Sequence, residues 1–181
     1  SRILLMSENY LQLKTECQNE LIDIVSYWSK NTVDADHGGF LGQIDHFNVP
    51  VPKANKGIIL NTRILWSFSA ASNHFNTQVY KAICDRAYHY LKAFFNDLTS
   101  KGVYWELDYL GNPINKRKQV YAQAFAIYAL SEYYTFSKDK AAKNWAIELF
   151  DLIEKHAKCE QTGYLDAFND DWTPIEDMRL S

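Results

Sequence analysis

A single arginine, Arg63, stands inside the otherwise apolar run KGIILNTRILWSF, residues 56 to 68. Ile58, Ile59, Leu60, Ile64, Leu65, Trp66 and Phe68 leave it no clean polar face. A guanidinium cannot shed its charge, so it must extend to solvent, find an anionic or hydrogen-bonding partner, or line a wet cavity. Two readings therefore stand: a structural arginine paired to a nearby carboxylate, or an arginine that faces a ligand.

Other residues bear chemistry at less telling spacings. Glu106 and Asp108 share one face of a strand-like segment at i and i+2, a carboxylate pair of the kind glycoside hydrolysis uses. A solvated hairpin explains the same pair more simply. Asp34, Asp36 and Asp45 are candidate calcium ligands, but they lack a loop spacing such as the EF-hand's, and hairpin capping accounts for them better. The five histidines are His37, His46, His74, His89 and His156; His37 and His46 flank a hairpin, and His89 and His156 fall on the wet helices described below. Cys17, Cys84 and Cys159 form no CxxC pair, which argues against a zinc ribbon or a disulfide scaffold and for a reducing cytoplasm.

Composition narrows the field. With 181 residues and 47% apolar content, the chain can bury a sizeable core. A formal charge of -3 gives no basic footprint for nucleic acid. The apolar patch Ile3 to Met6 is too short for a signal h-region or a membrane span, and Met6 reads as a native start. Aromatic residues make up 15%, with 5 Trp, 12 Tyr and 10 Phe; such side chains fill cores or stack on flat ligands, including sugar rings. Trp66 and Trp105 are the candidates for stacking on a sugar, whereas Trp28 and Trp145 read as packing between helices.

The elements that must position these residues read as five helices. Residues 8–30, 77–98 and 139–157 are amphipathic, while 57–73 and 118–134 are apolar or small on nearly every face. An amphipathic helix keeps one wet face, and a helix apolar all round is buried on every side. The alternation describes two concentric layers of helices.

The connectors repeat as well. GFLGQID (39–45), GVYWELD (102–108) and GYLDAFN (163–169) each run from Gly to Asp or Asn, and Pro50, Pro113 and Pro174 follow them. Successive glycines are 63 and 61 residues apart, taking 102 − 39 and 163 − 102. A unit of outer helix, short hairpin and inner helix at that period predicts an all-α fold, an α/α toroid with short β-hairpins in its connectors. Such a ring closes with about six units, so residues 1–181 read as one partial domain, the first half. An open half-ring leaves inner helices without neighbours, so self-association or pairing with the missing half is expected.

DADHGGFLGQID, KGIILNTRILWSFSAA, GVYWELDYLGNP and KQVYAQAFAIYALSEYY together resemble the N-acylglucosamine 2-epimerase family, nearest its cellobiose 2-epimerase branch. The likeness runs from about Trp28 to the end. It implies an (α/α)6 barrel of roughly twice this length, and a reaction that removes and returns the proton at carbon 2 of an opened aldose. That chemistry needs acid/base groups of near-neutral pKa on both faces of an enediolate, for which histidines serve, and a cation where negative charge develops. It requires no metal or organic cofactor.

By the same resemblance Arg63, in LNTRILW, is catalytic: it points into the central cavity, holds substrate oxygens and stabilises enediolate charge. Tyr121, in KQVYAQAF, matches a cavity-lining aromatic position, and Asn61 and Trp66 are assigned with it to the substrate. None of the five histidines matches a family acid/base position; those positions lie beyond residue 181. The implied substrate is a mono- or disaccharide. The alternatives are a glycoside hydrolase-type or aldose–ketose isomerase on the same toroid, or a non-catalytic carbohydrate-binding half-toroid.

Overall fold

The computed structural model describes residues 2–159, 163–164 and 166–175. By their contacts they divide into two units, Ser1–Thr32 and Val33–Ser181. The first unit is one long helix, α1 (Arg2–Asn31). The side chain of Trp28, expected to pack between helices, lies outside the described set.

The second unit holds the repeat. Its inner helices are α2 (Ile58–Phe75) and α4 (Val120–Ser137), 18 residues each and packed side by side. Both helices bury small side chains: Ala71 and Ser72 on α2, and Ala122, Ala126 and Ala129 on α4. The Asn73 amide ties the pair by donating to Glu132 Oε2 at 2.8 Å and to the Glu132 carbonyl. On the outside lie α3 (Lys81–Tyr90), packed on α2, and α5 (Lys140–His156), packed on α4. Tyr88 of α3 stacks on Tyr133 of α4 with ring centroids 4.6 Å apart, and Trp145 of α5 completes the cluster. The helix expected over 77–98 is shorter, because after Tyr90 the chain widens into a π-turn, Leu91–Phe95.

Short strands form the connectors. Strands β1 (Lys56–Gly57), β2 (Glu106–Leu107) and β3 (Pro113–Asn115) make one antiparallel sheet. Strand β4 (Lys118–Gln119) is separate from it, as are β5 (Lys158–Cys159), β6 (Gly163–Tyr164) and β7 (Ala167–Phe168). β4 pairs with β7, and β5 with β6, both antiparallel.

The sequence repeat corresponds to one repeated hairpin. Asp45 Oδ1 accepts from the N–H groups of Phe47 and Val49, and Asp108 Oδ1 from those of Leu110 and Asn112. Asn169 closes the third turn through Thr173. The residue before each turn pairs with the following proline: Ile44 with Pro50, Leu107 with Pro113, Phe168 with Pro174. The prolines fit there because a ring nitrogen owes the ladder no N–H. Asp45 and Asp108 are thus turn-makers, as expected, and among the described residues no cluster of His, Cys, Asp and Glu can hold a metal ion.

Candidate active-site face

Arg63 and Trp66 lie one turn apart on α2, and Tyr121, Phe125 and Tyr128 follow at i, i+4 and i+7 on α4. Arg63, Trp66, Phe125 and Tyr128 line an open recess of ≈ 280 Å³ whose surface is almost wholly apolar. Trp66 is 46% exposed, Tyr121 54% and Tyr128 67%, so three large rings stand in solvent, Trp66 and Tyr128 in the recess lining and Tyr121 outside it. Tyr121 leans on Phe125 with centroids 4.6 Å apart. The two helices read as apolar all round therefore do keep an open face.

Arg63 is exposed and makes no hydrogen bond or ion pair with any described residue. The structural ion pair considered for it is not formed among those residues. A guanidinium with no partner among the described residues, carried beside aromatic rings, can take a planar pair of oxygens, and the rings can stack against the apolar face of a sugar. Asn61 has a different place. It is 2% exposed, and its amide donates to the Gly57 carbonyl at 2.8 Å, so it braces the start of α2 instead of reaching the open face.

Trp105 is half-buried and lies under the Arg117 guanidinium, 5.4 Å from ring centroid to Cζ. Trp145 is 7% exposed between helices, as expected. His37 meets Tyr109 edge-on at 5.0 Å, and His156 stacks on Trp172 at 4.9 Å; burial, and then the neighbouring Lys155 charge, press the His156 pKa below its usual value. None of the five histidines lines the recess.

The residues that hold this face went unnoticed in the sequence. Lys56 and Lys118 stand two residues before α2 and α4, and both are fully buried. Lys56 Nζ donates to Asp34 Oδ2 at 2.8 Å and to the Gly38 carbonyl at 2.8 Å. Lys118 Nζ donates to Asp97 Oδ2 at 2.7 Å and to the Asp170 carbonyl at 2.8 Å. Each aspartate turns its other oxygen to two backbone N–H groups: Asp34 to Asp36 and His37, Asp97 to Thr99 and Ser100. Burial alone raises these carboxyls; the lysine and backbone hydrogen bonds outweigh it and hold both below the usual 3.8.

Asp34 and Asp97 are 63 residues apart, and Lys56 and Lys118 are 62, which was the available signal. Close packing surrounds both clasps. A Cβ on Gly39, whose φ is +63°, would sit 2.6 Å from the Tyr90 ring; one on Gly102, φ +82°, would sit 2.7 Å from Trp172.

The first N–H of each inner helix is capped by the next hairpin: Ile58 donates to the Trp105 carbonyl at 3.1 Å, and Val120 to the Asp166 carbonyl at 2.9 Å. Neither helix has a side-chain N-cap, so these carbonyls take up donors the helix cannot satisfy itself.

Comparison with known proteins agrees with this architecture. Residues 39–180 match the model of the N-acylglucosamine 2-epimerase (GlcNAc 2-epimerase) family. A cellobiose 2-epimerase of Bacteroides fragilis is 44% identical over 171 residues, covering 93% of this chain and 44% of that protein. The solved cellobiose 2-epimerase of Spirochaeta thermophila superposes with a TM-score of 0.85 at 36% identity, covering 91% of this chain and 41% of the other. That of Bacillus thermoamylovorans gives 0.83 at 36%, covering 90% and 43%. The chain thus spans less than half the length of the relatives it matches. With inner and outer helices alternating as described, the fold is an α/α toroid.

Proposed function

The chain belongs to the N-acylglucosamine 2-epimerase family, and we propose that the whole protein is a sugar 2-epimerase acting at the reducing end of an aldose. The 181 residues are the N-terminal half of a single (α/α)6 barrel domain. A cellobiose-type disaccharide is the favoured substrate, because the relatives at 44% and 36% identity are cellobiose 2-epimerases; an N-acylhexosamine is the second.

The observation that carries the reading is the exposed Arg63, which has no partner among the described residues and lines an aromatic recess. Arg63 holds the oxygens on carbons 1 and 2 of the opened sugar. A base takes the carbon 2 proton, and the electron pair moves toward the carbonyl oxygen, where Arg63 meets the developing negative charge. An acid then returns a proton to the opposite face of carbon 2, which inverts that centre and restores the carbonyl. Trp66 and Tyr121 bind the sugar by stacking. The acid and base are histidines outside these 181 residues, which the remaining half of the barrel supplies as it covers the open face of α2 and α4. The 181-residue chain alone is then inactive. Its place is the cytoplasm; no helix among the described residues is long and apolar enough to cross a membrane.

The test is to incubate the full-length protein with cellobiose in D2O and follow the products by NMR and chromatography. Epimerisation yields a glucosyl-mannose carrying solvent deuterium at carbon 2. Release of glucose, or no turnover of any aldose, overturns the proposal.

A further inference from the structure

The clasps Asp34–Lys56 and Asp97–Lys118 need a reason, because burying an ammonium and a carboxylate is a poor way to gain stability: the cost of desolvation offsets most of the attraction. The attested use of such a pair is to fix register. Here both pairs stand at the same point of two successive repeats, immediately before the helices that carry the recess. Arg63 has no partner among the described residues to hold its guanidinium, so its position follows from that of α2 alone. Tyr121 is the second residue of α4, three beyond Lys118. At about 1.5 Å of rise per residue, Arg63 lies about 7.5 Å from the first residue of its helix. A slip or rotation at the helix start is carried undiminished to the reacting groups.

We infer that Lys56 and Lys118 are positioning residues for the epimerase reaction, Lys56 setting the place of Arg63 and Lys118 that of Tyr121 and Phe125. The inference rests on the epimerase reading above. Lys118 reaches further than Lys56. Its ammonium joins the second connector, through Asp97, to the third, through the Asp170 carbonyl. The Trp172 indole N–H closes the same joint by donating to the Ser100 and Lys101 carbonyls at 2.9 and 3.1 Å.

The test uses the full-length protein and two double variants, Asp34→Asn/Lys56→Met and Asp97→Asn/Lys118→Met. Asparagine keeps an acceptor for the loop N–H groups, and methionine keeps the bulk without the charge, so the fold is retained while the directed bonds are lost. The expected result is a split. The first variant loses about tenfold in kcat on cellobiose with little change in KM, since a misplaced charge-stabilising group weakens the transition state. The second raises KM about tenfold, since aromatic contacts to the sugar are displaced.

Tyr133→Phe, a core change away from the recess, serves as the control. Melting temperatures lowered as much as in the control, with both kinetic constants normal, overturn the inference. Should a double variant fail to fold, Asp34→Glu and Asp97→Glu decide by the same split, because each keeps the buried charge pair but lengthens the clasp by one methylene. Wild-type protein with no epimerase activity sinks the epimerase reading instead. Calorimetric affinity for cellobiose still reads the Lys118 arm, and unchanged affinity there overturns it.

Discussion

Helices α2 and α4 start from the same buried clasp, run for 18 residues and take their first cap from the following hairpin. Advancing by 62 residues carries Lys56 to Lys118, Ile58 to Val120 and Asn61 to Gln123. Asn61 braces the Gly57 carbonyl, while Gln123 is bound to both the N–H and the carbonyl of Val103. The same step carries Arg63 to Phe125 and Trp66 to Tyr128. Buried positions thus keep their polar or apolar character, because they must rebuild one joint twice. The open positions change from cation to ring and from indole to phenol. Repetition supplies the frame, and divergence falls at the four residues that line the recess.

The sharpest way to break this comparison is to remove one carboxylate from each clasp. Asp34→Ala and Asp97→Ala each leave a lysine buried without its counter-charge, a loss of about 3–5 kcal/mol. Denaturant titration of the full-length protein should give similar losses for both. A cost at only one of them would show that the two joints are not equivalent.

Arg63→Lys should lower kcat about a hundredfold, about 3 kcal/mol, with an unchanged melting temperature, because lysine keeps the charge but not the planar fork. Phe125→Leu, at the matching place on α4, should act mainly on KM. A lowered melting temperature with normal turnover in Arg63→Lys would make that residue structural after all.

Gly39→Ala and Gly102→Ala put a Cβ at positive φ against Tyr90 and Trp172, each at a cost of about 1–3 kcal/mol seen as a lower melting temperature. Acid should act on both clasps together. The Asp34 and Asp97 carboxyls sit below 3.8 in the folded state, so the stability they contribute is complete above the unfolded value. It is lost as pH falls below about 4 and through the folded values. The double variants Asp34→Asn/Lys56→Met and Asp97→Asn/Lys118→Met should flatten that acid limb; an unchanged limb would place the titration elsewhere. The smallest effect belongs to Tyr133→Phe, which removes a 2.8 Å bond to Asp85 and should cost about 1 kcal/mol in a denaturant titration.

The sequence made some of this legible and hid the rest for physical reasons. Glycine, Asp or Asn, and proline announce the hairpins because each is demanded locally, by positive φ, by a turn acceptor or by a missing N–H. Helix periodicity located α2 through α5 because burial is written into residue type. Lys56 and Lys118 were missed because lysine is by habit a surface residue, and its burial depends on a partner over 20 positions away. The open face of α2 and α4 was hidden for the converse reason: a ring that stands in solvent looks in the sequence like a ring that fills a core. The π-turn at Leu91–Phe95 left no mark, since its residues suit an α-helix equally well.

The caps that cross from hairpin to helix also order events in time. On the ribosome, α2 is complete once Phe75 has emerged, yet the carbonyl that caps Ile58 belongs to Trp105 and arrives about half a repeat later. Helix α4 in turn waits for Asp166. Each turn of the ring is therefore sealed only by its successor, and the nascent chain closes behind itself like a zip whose slider trails the synthesis by about half a repeat.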